Sequence, residues 1–545
     1  MGQINQRKNA EVVLNNFGGG YAGAKAIGNL AANEAQDLDN IVILPSGAGF
    51  RNLAGTKQVT PTSGSSQNGW AFTLGVLATR VDLKGGGGAT SQDLRIVTLS
   101  SLTSDNDDVN IIVHNTDAGT ITSGGLVHFT NGTVDRNSIF SMFHFNGSII
   151  ITSRLAGTID GGATTTPFKV GINNVTATSL QTGVAPQGRV GIGWNNRCWI
   201  GSTSAATSKL FYSALSNEGD WNGAGSGFVE PSPNEADELT ALAPISNNVM
   251  LYFKQNSIYQ VVGRSDPFAV FELFRGVGCV GNQALVTVDG IVYFITPRGQ
   301  MRITDGSKVY DDRDIPELSN ADNLWAQVPV SRRPFIRGER YKGTDCDWII
   351  WLVSLGSGQT TNNYSIIWDL KNKCWLRCTQ GFKANHITSA PEGRTFLGSY
   401  DSLRVFEVAV SGYYKDDTNS TPIYDGNNQL IAPTNSTTMA WKWRSDDYAV
   451  SLHNITQVQT INVLAKYGAT GNLDANYRYD GKADSTDITK SLVPTSLTHN
   501  TAVYRPLGRG DTFGFELNSA SEVTAQISRI TLVGGQKGTK DPGVS

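Results

Sequence analysis

The strongest constraint on this chain is a unit that recurs. A tight polar turn is followed by a short apolar strand, a second Gly-bearing turn and another strand. It appears as Asn146-Gly147 before Ser148–Ser153, Asn195-Asn196 before Arg197–Ser202, and Asn247-Asn248 before Val249–Phe253. It returns as Asp289-Gly290 before Ile291–Thr296, Asp345–Asp347 before Trp348–Val353, and Glu392-Gly393 before Arg394–Ser399. Counted from positions 146, 195, 247, 289, 345 and 392, the spacings are 49, 52, 42, 56 and 47 residues. Repeats of roughly 40–50 residues that carry several strands each are the mark of a β-propeller.

The remaining composition agrees with an all-β chain. At 545 residues the protein is too long for one core and should divide into several domains. Apolar residues make up 39% and charged residues 17%, with 60 Gly, a mixture suited to short strands and tight turns. One short helical turn is expected over Leu30–Leu38, with Asn33 as its N-cap. The net charge of −3 argues against a protein that grips nucleic acid by its phosphates. Arg332-Arg333 and Arg337–Arg340 read as solvated loop charges.

Five Cys do not make a disulfide framework. Cys374 and Cys378 share one predicted strand, which sets their Cα atoms roughly 13 Å apart at 3.3 Å per residue. That exceeds the ~7 Å limit for a bridge, so free thiols and a reducing compartment are expected. No secretory signal is visible in the first thirty residues, and no apolar run approaches the ~18 residues of a membrane helix. The glycosylation-type matches at Asn131, Asn146, Asn174 and Asn435 are uninformative in so Asn- and Thr-rich a text.

Three segments follow from the pattern. Residues 1–60 form an N-terminal arm with platform strands, including a buried strand Ile41–Leu44 and a hairpin turn at Gly47–Phe50. Residues 61–412 form a propeller of six to seven blades, with strands at Trp70–Leu77, Leu94–Ser101 and Val109–Asn115 and a strong hairpin over Tyr364–Trp375. Residues 413–437 are a polar linker or loop. Residues 413–545 as a whole form a C-terminal β-sandwich-like domain, with strands at Met439–Arg444, Val458–Tyr467, Phe513–Leu517 and Val523–Val533 and a disordered tail.

Residues that could carry chemistry are sparse, and no catalytic, cofactor-binding or metal site is assigned. His114, His128, His144, His386, His453 and His499 lack metal-ligand spacing. Gly85–Gly88 lacks the Lys of a phosphate loop. Asp105–Asp108 and Asp311–Asp314 lack the Gly and terminal Glu of a calcium loop and read as turn acids. Ser216-Asn217-Glu218-Gly219-Asp220-Trp221 loosely matches a sialidase Asp-box. Glu218 stands in place of its Asp, however, and the spacing is one residue short.

The order of motifs resembles the tail nozzle proteins of short-tailed bacteriophages, also called tail tubular protein B or packaged-DNA stabilisation proteins. The matching opening is Asn16-Phe17-Gly18-Gly19-Gly20, then Asp39-Asn40-Ile41-Val42, then Gly47–Thr56 with Arg51, Gly55 and Thr56. In the middle, Trp194–Ser202, Lys209–Ala214, Asp220-Trp221, Ala236–Leu242, Ser257–Tyr259, Gly276–Val280 and Phe294–Gly299 are similar to the family's strands and turns. The resemblance covers residues 15–60 and 143–320 and extends loosely over 340–545.

It implies a non-enzymatic virion component of the phage tail, assembled in the bacterial host cytoplasm. The expected assembly is a homohexameric ring below the portal and the head-to-tail adaptor protein. Such a ring anchors tail fibres or spikes and retains and conducts genomic DNA without sequence-specific binding. It needs no cofactor and no membrane segment, and which residues line its channel is unknown from the sequence. The alternative is a carbohydrate-binding or glycan-cleaving propeller. A kelch- or WD-type scaffold is a third option, and it lacks its Gly-Gly and Gly-His signatures here.

Overall fold

The computed structural model describes residues 9–22, 34–59, 70–84, 90–102, 108–115, 120–129, 134, 137–154, 157–159, 167–171, 177–180, 184–233, 237–314, 324–390, 393–399 and 404–409. Toward the C-terminus it describes 415–416, 423–424, 430–431, 437–445, 448–449, 455–467, 471–480, 482–483, 488–492, 500–506, 512–519 and 525–536.

Each recurring turn joins the first and second strands of one antiparallel sheet. Asn146 and Gly147 have φ of 46° and 72°, Asn195 and Asn196 both 53°, and Asp289 and Gly290 50° and 83°. Two consecutive residues at positive φ match the right-handed twist of the flanking strands, which is why Asn, Asp and Gly occupy these pairs.

Among the described residues these sheets form a seven-bladed propeller. The first blade is Trp70–Lys84, Thr90–Leu102, Asp108–Asn115 and Thr120–Phe129, extended by Gly157–Ile159. The second is Ser141–Phe145, Ser148–Thr152, Phe168–Gly171 and Ala177–Ser179. The third is Gly188–Trp194, Arg197–Thr203, Leu210–Tyr212 and Gly227–Val229. Leu239–Ser246, Val249–Lys254, Ser257–Val262 and Ala269–Arg275 make the fourth. Leu285–Val288, Ile291–Ile295, Gln300–Thr304 and Val309–Asp314 make the fifth. The sixth is Arg337–Lys342, Asp347–Val353, Tyr364–Asp369 and Cys374–Cys378. The seventh is His386–Ser389, Thr395–Gly398 and Val405–Glu407, completed by Lys57–Gln58.

The innermost strand of every blade packs on that of the next, and His386–Ser389 of the seventh packs on Trp70–Lys84 of the first. That contact closes the ring. Inter-blade packing is apolar: Ile149, Ile151 and Phe168 of the second blade share a core with Leu99, Ile111 and Val127 of the first.

Both chain ends build the second body. One sheet runs Asn500–Tyr504, Ile455–Tyr467, Ala525–Gln536, Phe50–Asn52, Ile41–Ile43, with Asn9–Leu14 also on Ala525–Gln536. The facing sheet runs outward from Cys374–Cys378 of the sixth blade through Asp37–Asp39, Trp441–Arg444, Thr512–Ser519 and Gly471–Tyr479. The C-terminal strands are thus a sandwich into which the N-terminal arm is threaded. An aromatic cluster fills its middle, with Phe50 stacked on Trp443 at 5.9 Å and Trp443 packed against Phe515 at 5.4 Å. The same core continues into Trp348, Ile350 and Leu376 of the sixth blade.

The helical turn expected over Leu30–Leu38 does not form where it is described. Glu34–Ala35 and Asp37–Asp39 are strands with a bend at Gln36. Leu38 is buried in the core between two only partly buried aspartates, a period-two pattern that a helix cannot satisfy. Lys57–Gln58, assigned from the sequence to the arm, pairs instead with Phe406 and Glu407 as the outer strand of the last blade. The Tyr364–Trp375 hairpin forms as expected. Of the polar tail expected to be disordered after Val533, Gly534, Gly535 and Gln536 instead continue the last strand, paired with Ile455–Tyr467 and Asn9–Leu14; residues 537–545 and the Gly85–Gly88 run lie outside the described residues.

The turn geometry generates a test. Nothing lies within 4 Å of a Cβ built on Gly147, so Gly147→Val acts through backbone strain alone. It should lower the unfolding free energy by about 1–2 kcal/mol in urea titration, with Gly147→Asn costing less than half as much.

Candidate functional site

One cluster of buried polar groups lies at the hub of the propeller, where the first, sixth and seventh blades meet. The 3-10 turn Val330–Phe335, ended by Pro334 and Phe335, delivers the chain into the inner strand Arg337–Lys342. The amide of Gly338 donates to the carbonyl of Gln283 at 2.8 Å, which pins this strand to the fifth blade. A cavity opens beside it, lined by Thr73, Leu74, Ser138, Arg332, Phe335, Arg337, Asn385 and His386, with room for about one water molecule.

This lining is rich in donors and contains no carboxylate. Arg332 and Arg337 are 3% and 2% exposed. Arg332 donates through Nη1 to Asn137 Oδ1 at 3.2 Å and through Nε to Ser354 Oγ at 3.4 Å. Its guanidinium lies 4.2 Å from the centre of the Phe335 ring, with that of Arg337 6.0 Å from the same ring. Arg337 Nη1 donates to the carbonyls of Pro334 and Ile336 at 3.3 and 3.4 Å. Burial, with Arg332 nearby, pushes its pKa down to about 9, so it stays cationic at neutral pH. The buried His386 is held well below the usual imidazole range by desolvation and by Arg337 and Arg332, and so is neutral.

Around this pocket runs a satisfied amide network. Ser354 Oγ donates to Asn362 Oδ1 at 2.8 Å, Asn362 Nδ2 to the Phe335 carbonyl at 3.0 Å, and the Asn362 amide to Asn385 Oδ1 at 3.2 Å. Asn385 is thereby fixed with its amide group at the cavity wall.

Two residues along the same strand face as Arg337 is Glu339. Its carboxyl is raised to about 7 by burial, while hydrogen bonds from the Arg340 amide and from Ser389 work the other way. Arg340, on the opposite face, holds Asp347 in a two-pronged pair at 2.9 and 2.8 Å and reaches Asp289 at 3.3 Å.

The arginines read from the sequence as solvated loop charges are therefore corrected. Arg332 and Arg337 are buried at the hub, Arg333 lies 4.5 Å over the Trp325 ring, and Arg340 is ion-paired. No local pattern in the sequence marks them, because their burial comes from segments that meet only in the folded ring.

The other candidates are dispersed. Of the histidines, His386 lines the cavity and His144 sits on the inner strand of the second blade. His114 and His128 are strand residues of the first blade, and His453 and His499 lie outside the described residues. Glu218 of the Asp-box-like segment bonds Lys169 at 2.7 Å and so ties the second and third blades. Trp221 Nε1 donates to the Glu218 carbonyl at 2.8 Å. Asp311–Asp314 belong to an outer strand of the fifth blade, and Asp105–Asp107 lie outside the described residues, with Asp108 opening the third strand of the first blade. All five cysteines are buried free thiols. Among the described residues no group of three or more His, Cys, Asp and Glu could hold a metal ion, and no helix is long and apolar enough to cross a membrane.

A second polar cluster, missed in the sequence, lies between blades. Glu238 pairs with Arg154 and, at 2.8 Å, with Arg189, and accepts from Ser202 Oγ at 2.9 Å. One carboxylate thus links the second, third and fourth blades.

No protein-family model matches the chain, and no curated protein matches it. Among solved structures, the chain is similar to the WD40 β-propeller domain of Doa1, at 11% identity and a TM-score of 0.34, over 66% of this chain and 98% of that one. YCF48 from Cyanidioschyzon merolae is matched at 10% identity and a TM-score of 0.38, over 65% and 99%. The WD40 domain of Neurospora crassa Pan2 is matched at 10% identity and a TM-score of 0.33, over 64% and 98%. Likenesses this remote carry no functional argument; the propeller rests on the closed ring of inner strands.

The raised Glu339 carboxyl sets a pH dependence. A folded-state pKa of about 7 against an unfolded value of 4.5 means the folded chain holds the extra proton. Stability from this group is full below about pH 4.5 and is lost as pH rises through 7. Glu339→Gln should remove that slope and leave the variant more stable than the parent above pH 7, by on the order of 2 kcal/mol in urea titrations across pH 4–8.

Proposed function

We propose that the chain is a non-enzymatic structural component of a short-tailed phage tail, a nozzle subunit that assembles into a homohexameric ring through which genomic DNA is retained and released. One observation carries the reading. The segments that bear the resemblance at the N-terminus, Asp39–Val42 and Gly47–Thr56, are the strands that join a propeller to a sandwich built from both chain ends. A rigid two-body subunit of this kind suits a ring in which one body stacks along the tail and the other faces sideways.

Lateral faces are available for neighbours. The outer strands of the third and fourth blades expose Phe228 at 52% and Phe271 at 55%, with Phe274 at 38%. Closed cyclic symmetry joins two different patches of each subunit, and exposed aromatics on unpaired sheet edges are suited to such contacts. A slightly acidic protein also fits a conduit that must pass a polyanion without holding it. The adaptor above and fibres or spikes at the rim are the partners this reading requires.

The carbohydrate alternative needs two carboxylates across a pocket. The hub cavity has none, and Glu218 is engaged by Lys169.

Electron microscopy of the purified protein with and without the adaptor should show six-fold rings. Phe271→Ser with Phe274→Ser should shift sedimentation toward monomer while changing the melting temperature little, because both side chains are exposed. A monodisperse monomer in every condition, adaptor included, overturns the proposal.

A further inference from the structure

We propose that the hub cavity between the first, sixth and seventh blades is a binding site for a small inorganic anion of halide size. Arg337 supplies the reason. It is 2% exposed, its two hydrogen bonds are long ones to carbonyl oxygens, and its Nε has no hydrogen-bond partner. Among the described residues no carboxylate pairs with it; the charged group acting on it is another cation, Arg332. A buried charge is ordinarily paired, because its lost hydration is not otherwise recovered. Here no such carboxylate is found among the described residues, yet Arg337 lines a cavity.

The other lining groups have the chemistry of an anion site. Arg332 brings a second positive charge, Asn385 an amide held in place by the Asn362 network, and Ser138 and Thr73 hydroxyls. His386, kept neutral by burial and by the two arginines, has one ring N–H to donate. Phosphate and sulfate are too large for a space that admits about one water, whereas chloride or bromide fits it. An ion there would neutralise the Arg337 guanidinium where the last blade meets the first, and so would strengthen ring closure.

The test uses the full-length chain. Crystals grown in bromide should give an anomalous peak in the cavity within hydrogen-bonding distance of the Arg337 guanidinium. In parallel, melting temperature should rise by a few degrees when gluconate is replaced by chloride at fixed ionic strength, since a ligand bound only by the folded state stabilises it. Arg337→Met should abolish that anion-specific rise, and Asn385→Ala should weaken halide binding at least severalfold should the first variant fail to fold. Three results would each overturn the proposal: an empty cavity in bromide, a cavity filled by a carboxylate of the chain itself, or a bromide peak without anion-specific stabilisation, which would mean an adventitious ion only.

Discussion

The propeller depends on how its ring is shut. A circle of sheets has a first and a last member, and the seam between them must be stitched by chain that is distant in sequence. Here Lys57–Gln58, which precede the first blade, form the outer strand of the seventh, with Phe406 opposite Gln58. The Val59 amide continues the seam by donating to the Val405 carbonyl at 2.8 Å. Cooperative opening of the ring then requires breaking these bonds together with the apolar contact of Val76, Ala78, Leu94 and Ile96 with Phe396 and Val405.

The same N-terminal segment makes a second junction earlier in the chain, at Asp37–Asp39. Asp37 pairs with Arg377 at 2.7 Å and with Lys442 at 2.6 Å, so one carboxylate joins the sixth blade to the C-terminal sheet. Asp39 accepts from the Thr379 amide at 3.0 Å and from its hydroxyl, although burial raises its own pKa. Burial alone would lower the Arg377 pKa; Tyr364, Asp37, Tyr21 and Asp39 outweigh it and hold the pKa above the ordinary arginine range. Gly20 sits so close to Cys374 that a Cβ would lie 2.6 Å from that residue's Cβ, which leaves glycine as the one fit. Closure of the propeller and folding of the sandwich are therefore coupled through residues 16–59, and neither body is independent of the N-terminal strands.

What could be read from the sequence follows from which forces are local. The Asn-Gly, Asn-Asn and Asp-Gly turns of the second, third and fifth blades fix two positive φ values by residue type, and the even spacing of polar turns made the fourth, sixth and seventh blades legible beside them. The first blade was not, because its corresponding connection is a glycine run between unusually long strands. Lys57–Gln58 was illegible for another reason. Two residues have no periodicity, and their strand exists through a partner about 350 positions away. The short acidic stretch before Asn40 carries helix-like composition, yet tertiary pairing with Arg377 and Arg444 overrode it. At the hub the error was one of charge: Arg332 and Arg337 read as surface residues because nothing local announces a buried cation, and their burial is decided by three blades that converge from residues 73 to 386.

Blade number also bears on where a duplex could run if the proposed function holds. Seven inner strands packed side by side at no more than ~10 Å, the spacing of facing sheets, close a circle of about 11 Å radius measured to the backbone. Side chains from every strand occupy most of that radius, and what remains is a few ångströms, far below the width of a duplex whose major groove alone is about 12 Å wide. The propeller's own axis therefore cannot serve as the conduit. A passage wide enough must lie between copies, bounded by outer faces of the disc or by the sandwich. For a subunit of this shape, ring assembly is then a requirement of conduction, and the exposed strands Gly227–Val229 and Ala269–Arg275 matter more to that task than anything at the hub.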